Sequence, residues 1–189
     1  MGNGSLDLLQ GNSASLKGGH SFFEDDLLDP TRTIELAEPS TKKVNGNEKH
    51  NISFAIATHG PWEQFDELPA VLDLFQDGSL YIVDAPGHLP GHINLLARID
   101  DEENDGTRWV YLAGDACHDR RIIRGEKTIG EWQDADGHLC CIHANRSKAE
   151  ETIDRIRKLE SKGVEVIFAH DIEWESRRTN RARFFGASS

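Results

Sequence analysis

From residue 51 onward the chain is a series of short apolar runs, each cut off by glycine, proline or acidic residues, and this restricts it to a sheet-based fold. Residues 51–58 (NISFAIAT), 71–75 (VLDLF), 80–83 (LYIV), 93–99 and 109–113 (WVYLA) are strand-length and rich in β-branched or aromatic side chains. Such runs fit a pleated, half-buried surface. Gln76-Asp77-Gly78-Ser79 lies between the second and third runs and predicts a hairpin with glycine at its turn. The last third differs. Ser147-Lys148-Ala149-Glu150 reads as a capping box, with Ala149, Ile153, Ile156 and Leu159 at helical spacing and Gly163 as terminator. Residues 164–168 (VEVIF) then return to strand, and the arginine-rich end from Ile172 predicts a short surface helix. Strands followed by helix and strand place the chain in the α/β or α+β class, with helices packed on a sheet.

Residues 1–50 are rich in Gly, Ser, Asn and Lys and are expected to form a flexible or poorly ordered segment, consistent with only 37% hydrophobic residues overall. The net charge of −12 argues against nucleic acid or an anionic membrane surface as a partner. No apolar run approaches the length needed to span a bilayer. The N-terminus lacks the basic and apolar regions of a secretory signal, and three cysteines, two of them adjacent, make no disulfide framework. A reducing, cytoplasmic setting is the expectation.

Three polar residues share one address in this pattern. His88 follows the run ending at Asp84, Asp115 ends WVYLAGD, and His170 ends VEVIFAH. A strand that delivers His or Asp at its end places that group at the sheet's edge, where loops build sites. Pro86-Gly87 and Pro90-Gly91 make tight turns on either side of His88, and His92 reads as a hydrogen-bonding support. Imidazole and carboxylate are what Zn²⁺ takes when no thiolate is offered. His138-Leu-Cys-Cys-Ile-His143 is a competing cluster that reads either as a structural zinc site or as two small buried cysteines before the helix.

DAPGHLPGH, LAGDACHD and VIFAHD, in that order and spacing, resemble the C-terminal half of the metallo-β-lactamase superfamily, and within it the homoserine-lactone lactonase-like and fungal thioesterase-like branch. The resemblance covers roughly residues 50–175. It implies a partial αββα sandwich over 51–175 with a C-terminal tail at 176–189. It also implies metal ligation by His88, Asp115 (bridging) and His170, with up to two Zn²⁺ ions. The activity it implies is attack of a metal-activated water on an ester, lactone or thioester. Lactonases of this family carry tyrosine three residues after the bridging Asp; here that position is His118, which could donate a hydrogen bond or act as general acid.

The family's His-x-His-x-Asp-His motif is absent: the chain has nine histidines and none stands in an HxH arrangement. The chain is therefore expected to represent the C-terminal portion of such a fold. With two ligands per ion it should bind metal weakly and hydrolyse poorly. The alternative is a non-catalytic remnant acting as a binding protein. In either case uncovered sheet edge would favour a homodimer or another covering partner.

Overall fold

The apolar runs pair side by side into one sheet. A computed structural model describes residues 61–101 and 106–181, together with Thr31, Thr33, Leu36, Glu38 and Pro39. The strand expected at 51–58 lies outside the described residues, as does most of the N-terminal segment. The strands are β1 (Glu63–Phe65), β2 (Leu68–Asp73), β3 (Leu80–Asp84), β4 (Ile93–Asp101), β5 (Gly106–Gly114), β6 (Glu131–Gln133), β7 (Leu139–Cys141) and β8 (Glu165–Phe168). The helices are α1 (Arg120–Ile123), α2 (Arg146–Ser161), α3 (Ile172–Ser176) and α4 (Arg178–Arg181). The main sheet runs β1-β2-β3-β4-β5-β8, and β6-β7 forms a separate hairpin. With a six-stranded sheet and few helices, the architecture is α+β. Among the described residues no helix is long and apolar enough to cross a membrane.

The direction of the strands decides where the site lies. β2, β3, β4 and β5 pair antiparallel in succession, and β8 then joins β5 in parallel. β3, β5 and β8 therefore run the same way, and their C-terminal ends open on one edge of the sheet. Residues just past those ends meet there whatever their separation in sequence.

One face of the sheet is covered by α2. Ala149, Ile153, Ile156 and Leu159, at the spacing read from sequence, are buried against Val83, Leu96, Tyr111, Val166 and Phe168. Fully burying an aliphatic side chain contributes about 1.5–3 kcal/mol, so this stripe is a principal source of stability. The helix begins earlier than the capping box predicts. Asn145, not Ser147, is the N-cap, its side chain accepting from the Lys148 N–H at 3.0 Å. The backbone N–H of Asn145, which the second half of a capping box would satisfy, is already donated to the Gly87 carbonyl at 2.9 Å. At the other end Gly163 N–H bonds Glu160 O and Val164 N–H bonds Leu159 O, the paired bonds of a Schellman stop.

The Pro-Gly-His turn is tied to the start of α2. The carbonyls of Pro86, Gly87 and His88 accept from the Thr152 hydroxyl (2.8 Å), Asn145 N–H (2.9 Å) and Ala144 N–H (2.8 Å). Gly87 has φ +134°, and a Cβ there would stand 2.3 Å from the Ala149 nitrogen. Only glycine permits this approach. Gly87→Ala is expected to push the turn off α2 and to destabilise the fold by at least about 1–3 kcal/mol. Urea denaturation of the variant measures this, and unchanged stability would show that the turn does not need the close contact.

The C-terminal segment forms two short helices, α3 and α4, and these are anchored. Trp174 and Asn180 are buried; the Trp174 indole N–H donates to Glu165 Oε1 at 3.1 Å and the Asn180 amide donates to Trp174 O at 2.8 Å.

Candidate metal centre

His88 lies in the turn after β3, Asp115 directly follows β5, and His170 comes two residues after β8. The common direction of these strands brings all three to one edge. Asp115 Oδ1 is 3.2 Å from His170 Nε2 and 3.5 Å from His118 Nε2. Asp115, His118 and His170 each present a ligand atom within 4.8 Å of the others. His118, expected from sequence only as a substrate-facing group, is thus a third potential ligand, and the three-donor set matches what a catalytic zinc site takes from protein.

His88 is next to this group. Its ring centroid lies 5.2 Å from that of His118, 5.5 Å from His92 and 5.5 Å from His143. The His118 and His170 rings stack, with centroids 5.6 Å apart. His92 Nδ1 lies 3.1 Å from the Ala85 carbonyl, so this ring is fixed by the turn that carries His88. Five imidazoles and the Asp115 carboxylate therefore gather at one end of the sheet.

The surroundings of four of these rings favour the neutral form. Burial pushes the imidazoles of His88, His92 and His118 below their ordinary value, and His143 down to about 4, where neighbouring His88 and His118 add to the effect. A neutral imidazole has a lone pair for a ligand. His88 Nδ1, His118 Nδ1 and His143 Nδ1 are buried without a hydrogen-bond partner among the described residues. Orphaned buried nitrogens are costly, and together with Asp115 they fit a divalent cation.

The direction of these shifts sets a pH dependence. A depressed imidazole pKa adds stability that is complete above the unfolded value of about 6.5 and drains away as pH falls toward the folded value. The metal-free protein should therefore lose stability as pH drops below about 6.5, with His143 still contributing down to about 4. Urea titrations across this range test the effect. A His143→Asn chain should show a shallower slope, and an identical slope would remove His143 from the account.

The HLCCIH segment does not converge on one ion. Cys140 and Cys141 are neighbours in β7, so their side chains leave opposite faces of the strand. Cys141 packs against the core, Cys140 Sγ lies 3.5 Å from His138 O, and His138 Nδ1 is 3.2 Å from the Asp134 carboxylate at the hairpin turn. Both cysteines are partly buried rather than fully so. His143 alone joins the site. Sequence spacing gave no sign of this, because His143 arrives through the docking of α2 on the Pro-Gly-His turn.

A cleft of about 230 Å³ opens beside the centre, with His118, His170, Arg121 and Ile172 among its lining residues. Ile172 is 77% exposed, so the cleft offers an apolar side chain next to the donor group.

No family model matches the chain. It is 30% identical over 143 residues to the cytochrome P450 monooxygenase mpaDE' of Penicillium brevicompactum, an alignment that takes in 68% of this chain and 16% of that protein. The Penicillium roqueforti mpaDE is 30% identical over 113 residues, 53% of this chain and 13% of its own length. A metallo-hydrolase, mfmC of Annulohypoxylon moriforme, is 43% identical over 53 residues, covering 28% of this chain and 13% of that protein. The chain thus spans no more than about a sixth of the length of these relatives.

Proposed function

We propose that the protein is a metal-dependent hydrolase of the metallo-β-lactamase type, acting on an ester, lactone or thioester carbonyl. The observation that carries this reading is the Asp115 carboxylate set 3.2 and 3.5 Å from two imidazole nitrogens, at the shared end of three co-directional strands. The 43% identity to a protein named a metallo-hydrolase points the same way. Monooxygenase is the name of proteins that align over at most 16% of their length. Imidazole and carboxylate are in any case not the axial thiolate of a P450 haem.

Asp115, His118 and His170 would hold the ion, with His88 beside them. A divalent ion bound there supplies Lewis acidity and lowers the pKa of a water to near neutrality. Asp115 brings the negative charge that offsets the cation. His92 keeps the His88 turn in place through the Ala85 carbonyl. The cleft next to His118 receives the acyl group, with Ile172 as an apolar wall. His118 lines the cleft together with His170, and its Nε2, 3.5 Å from Asp115, is the nitrogen turned toward the ion.

The test is to reconstitute the purified chain separately with Zn²⁺, Mn²⁺ and Fe²⁺ and assay lactones, p-nitrophenyl esters and acyl thioesters. We expect turnover with at least one ion, abolished by chelator and restored by metal. A chain that takes up metal but hydrolyses none of the three classes would favour a non-catalytic binding protein. A chain that takes up none would remove the metal reading itself.

A further inference from the structure

We propose that Asn94 is a positioning residue: its buried amide fixes the backbone bend that carries Asp115 and so sets how that carboxylate meets His118 and His170. The inference rests on the reading of Asp115 as a metal ligand and adds to it a residue that is no ligand itself. The paired register of β4 and β5 runs from Asp101–Gly106 to Leu95–Leu112. One residue further on, where Asn94 stands beside Ala113, a side chain takes over from the backbone. Asn94 is 2% exposed, and its amide has one orientation in which both polar atoms find partners. The nitrogen then donates to the Ile93 carbonyl at 3.1 Å and to the Ala113 carbonyl at 3.0 Å, and the oxygen accepts from the Tyr111 hydroxyl at 3.0 Å. The reverse orientation would set a buried amide oxygen against two carbonyl oxygens, which is the costlier state.

Ala113 is where the bend begins. Its carbonyl also accepts from the Ala116 N–H at 3.0 Å, which closes a turn around Gly114 and Asp115. Gly114 has φ +50°, and a Cβ there would stand 3.3 Å from His92 Nε2. The chain at the start of β4 thus holds the bend twice, by the Asn94 amide and by the His92 ring lying against Gly114. On the other side the Gly114 carbonyl accepts at 2.9 Å from the N–H of Ala169, the residue before His170. A shift of the bend therefore moves the Asp115 carboxylate against the imidazoles 3.2 and 3.5 Å away. Donor geometry must be held to roughly 0.5 Å, and loss of a group that orients a ligand costs about 10–100-fold in metal affinity.

The test separates position from stability. Asn94→Leu leaves the buried Tyr111 hydroxyl without its acceptor, so stability falls. Adding Tyr111→Phe removes both side-chain polar groups together, and most of that loss should return. Metal affinity should not return. Co²⁺ is expected to bind Asn94→Leu and the double variant about 10–100-fold more weakly than the parent, with altered visible absorption, whereas Tyr111→Phe alone binds as the parent does. Affinity that recovers together with stability in the double variant would overturn the proposal. So would a Tyr111→Phe chain weakened as much as Asn94→Leu. Should Asn94→Leu alone fail to fold, the double variant carries the comparison with the parent. Hydrogen exchange of the metal-free proteins gives a second readout: the Ala116 N–H should exchange faster in the double variant, with the amides of α2 unchanged. A parent that takes up no cobalt would remove the metal reading, and this exchange would then decide the role of Asn94 by itself. Equal exchange at Ala116 in parent and double variant would overturn the proposal in either case.

Discussion

Arg120→Met is expected to cost the fold about 3–5 kcal/mol, because it strips the partner from a buried carboxylate. The Arg120 side chain is 9% exposed and that of Asp171 is 2%. Its guanidinium donates from Nε to both Asp171 oxygens at 3.0 and 2.8 Å, to Glu160 at 2.6 Å and to the Val166 carbonyl at 2.6 Å, and lies over the Phe168 ring. Lysine cannot reproduce this fork, so Arg120→Lys should also lose stability. Removing both partners together, Arg120→Met with Asp171→Asn, should recover part of the loss, since no buried charge is then left alone. Equilibrium urea unfolding of the parent, Arg120→Met, Asp171→Asn and the double variant closes the cycle. A single Arg120→Met variant within about 1 kcal/mol of the parent would show that solvent replaces the arginine.

The strut also bears on the site. Arg120 is two residues after His118, and Asp171 is the residue after His170. Their ion pair locks together the two loops that carry those imidazoles. Asp171 in addition caps α3 by accepting from the Trp174 N–H at 2.9 Å. Loss of Arg120 should therefore loosen the ligand geometry at temperatures where the sheet is still folded.

Asp115→Asn is expected to weaken metal binding more than 100-fold and to abolish metal-dependent hydrolysis, while leaving the fold in place. Loss of a group that merely supports a ligand costs about 10–100-fold, and Asp115 would be a ligand itself. The substitution removes the single carboxylate of the group and with it the negative charge that offsets the ion. Its side chain is 38% exposed, so the sheet should not suffer. Isothermal titration with Zn²⁺, paired with thermal unfolding of the metal-free protein, separates the two effects. A variant that binds zinc as tightly as the parent would move the metal centre away from Asp115.

Much of the frame was legible because local chemistry determines it. The hairpin joining β2 to β3, the apolar stripe of α2 and its glycine stop are found in the structure, since each depends on residues within a few positions of one another, although β2 ends at Asp73 and the turn takes in Leu74 and Phe75 as well. The N-cap lies at Asn145, two residues before the predicted Ser147, for a non-local reason: the Asn145 N–H is satisfied by Gly87, far upstream in the chain.

The sequence by itself determined which residues stand at strand ends, and so which of them could be donors: His88, Asp115 and His170 each follow an apolar run. Tertiary structure alone decided their company. Three parallel strand directions bring those ends to one edge, a five-residue loop after β5 carries His118 back to Asp115, and the docking of α2 carries His143 to His88. Sequence separation holds no record of such meetings, because they follow from strand direction and helix packing, which belong to the whole sheet rather than to any one segment of it.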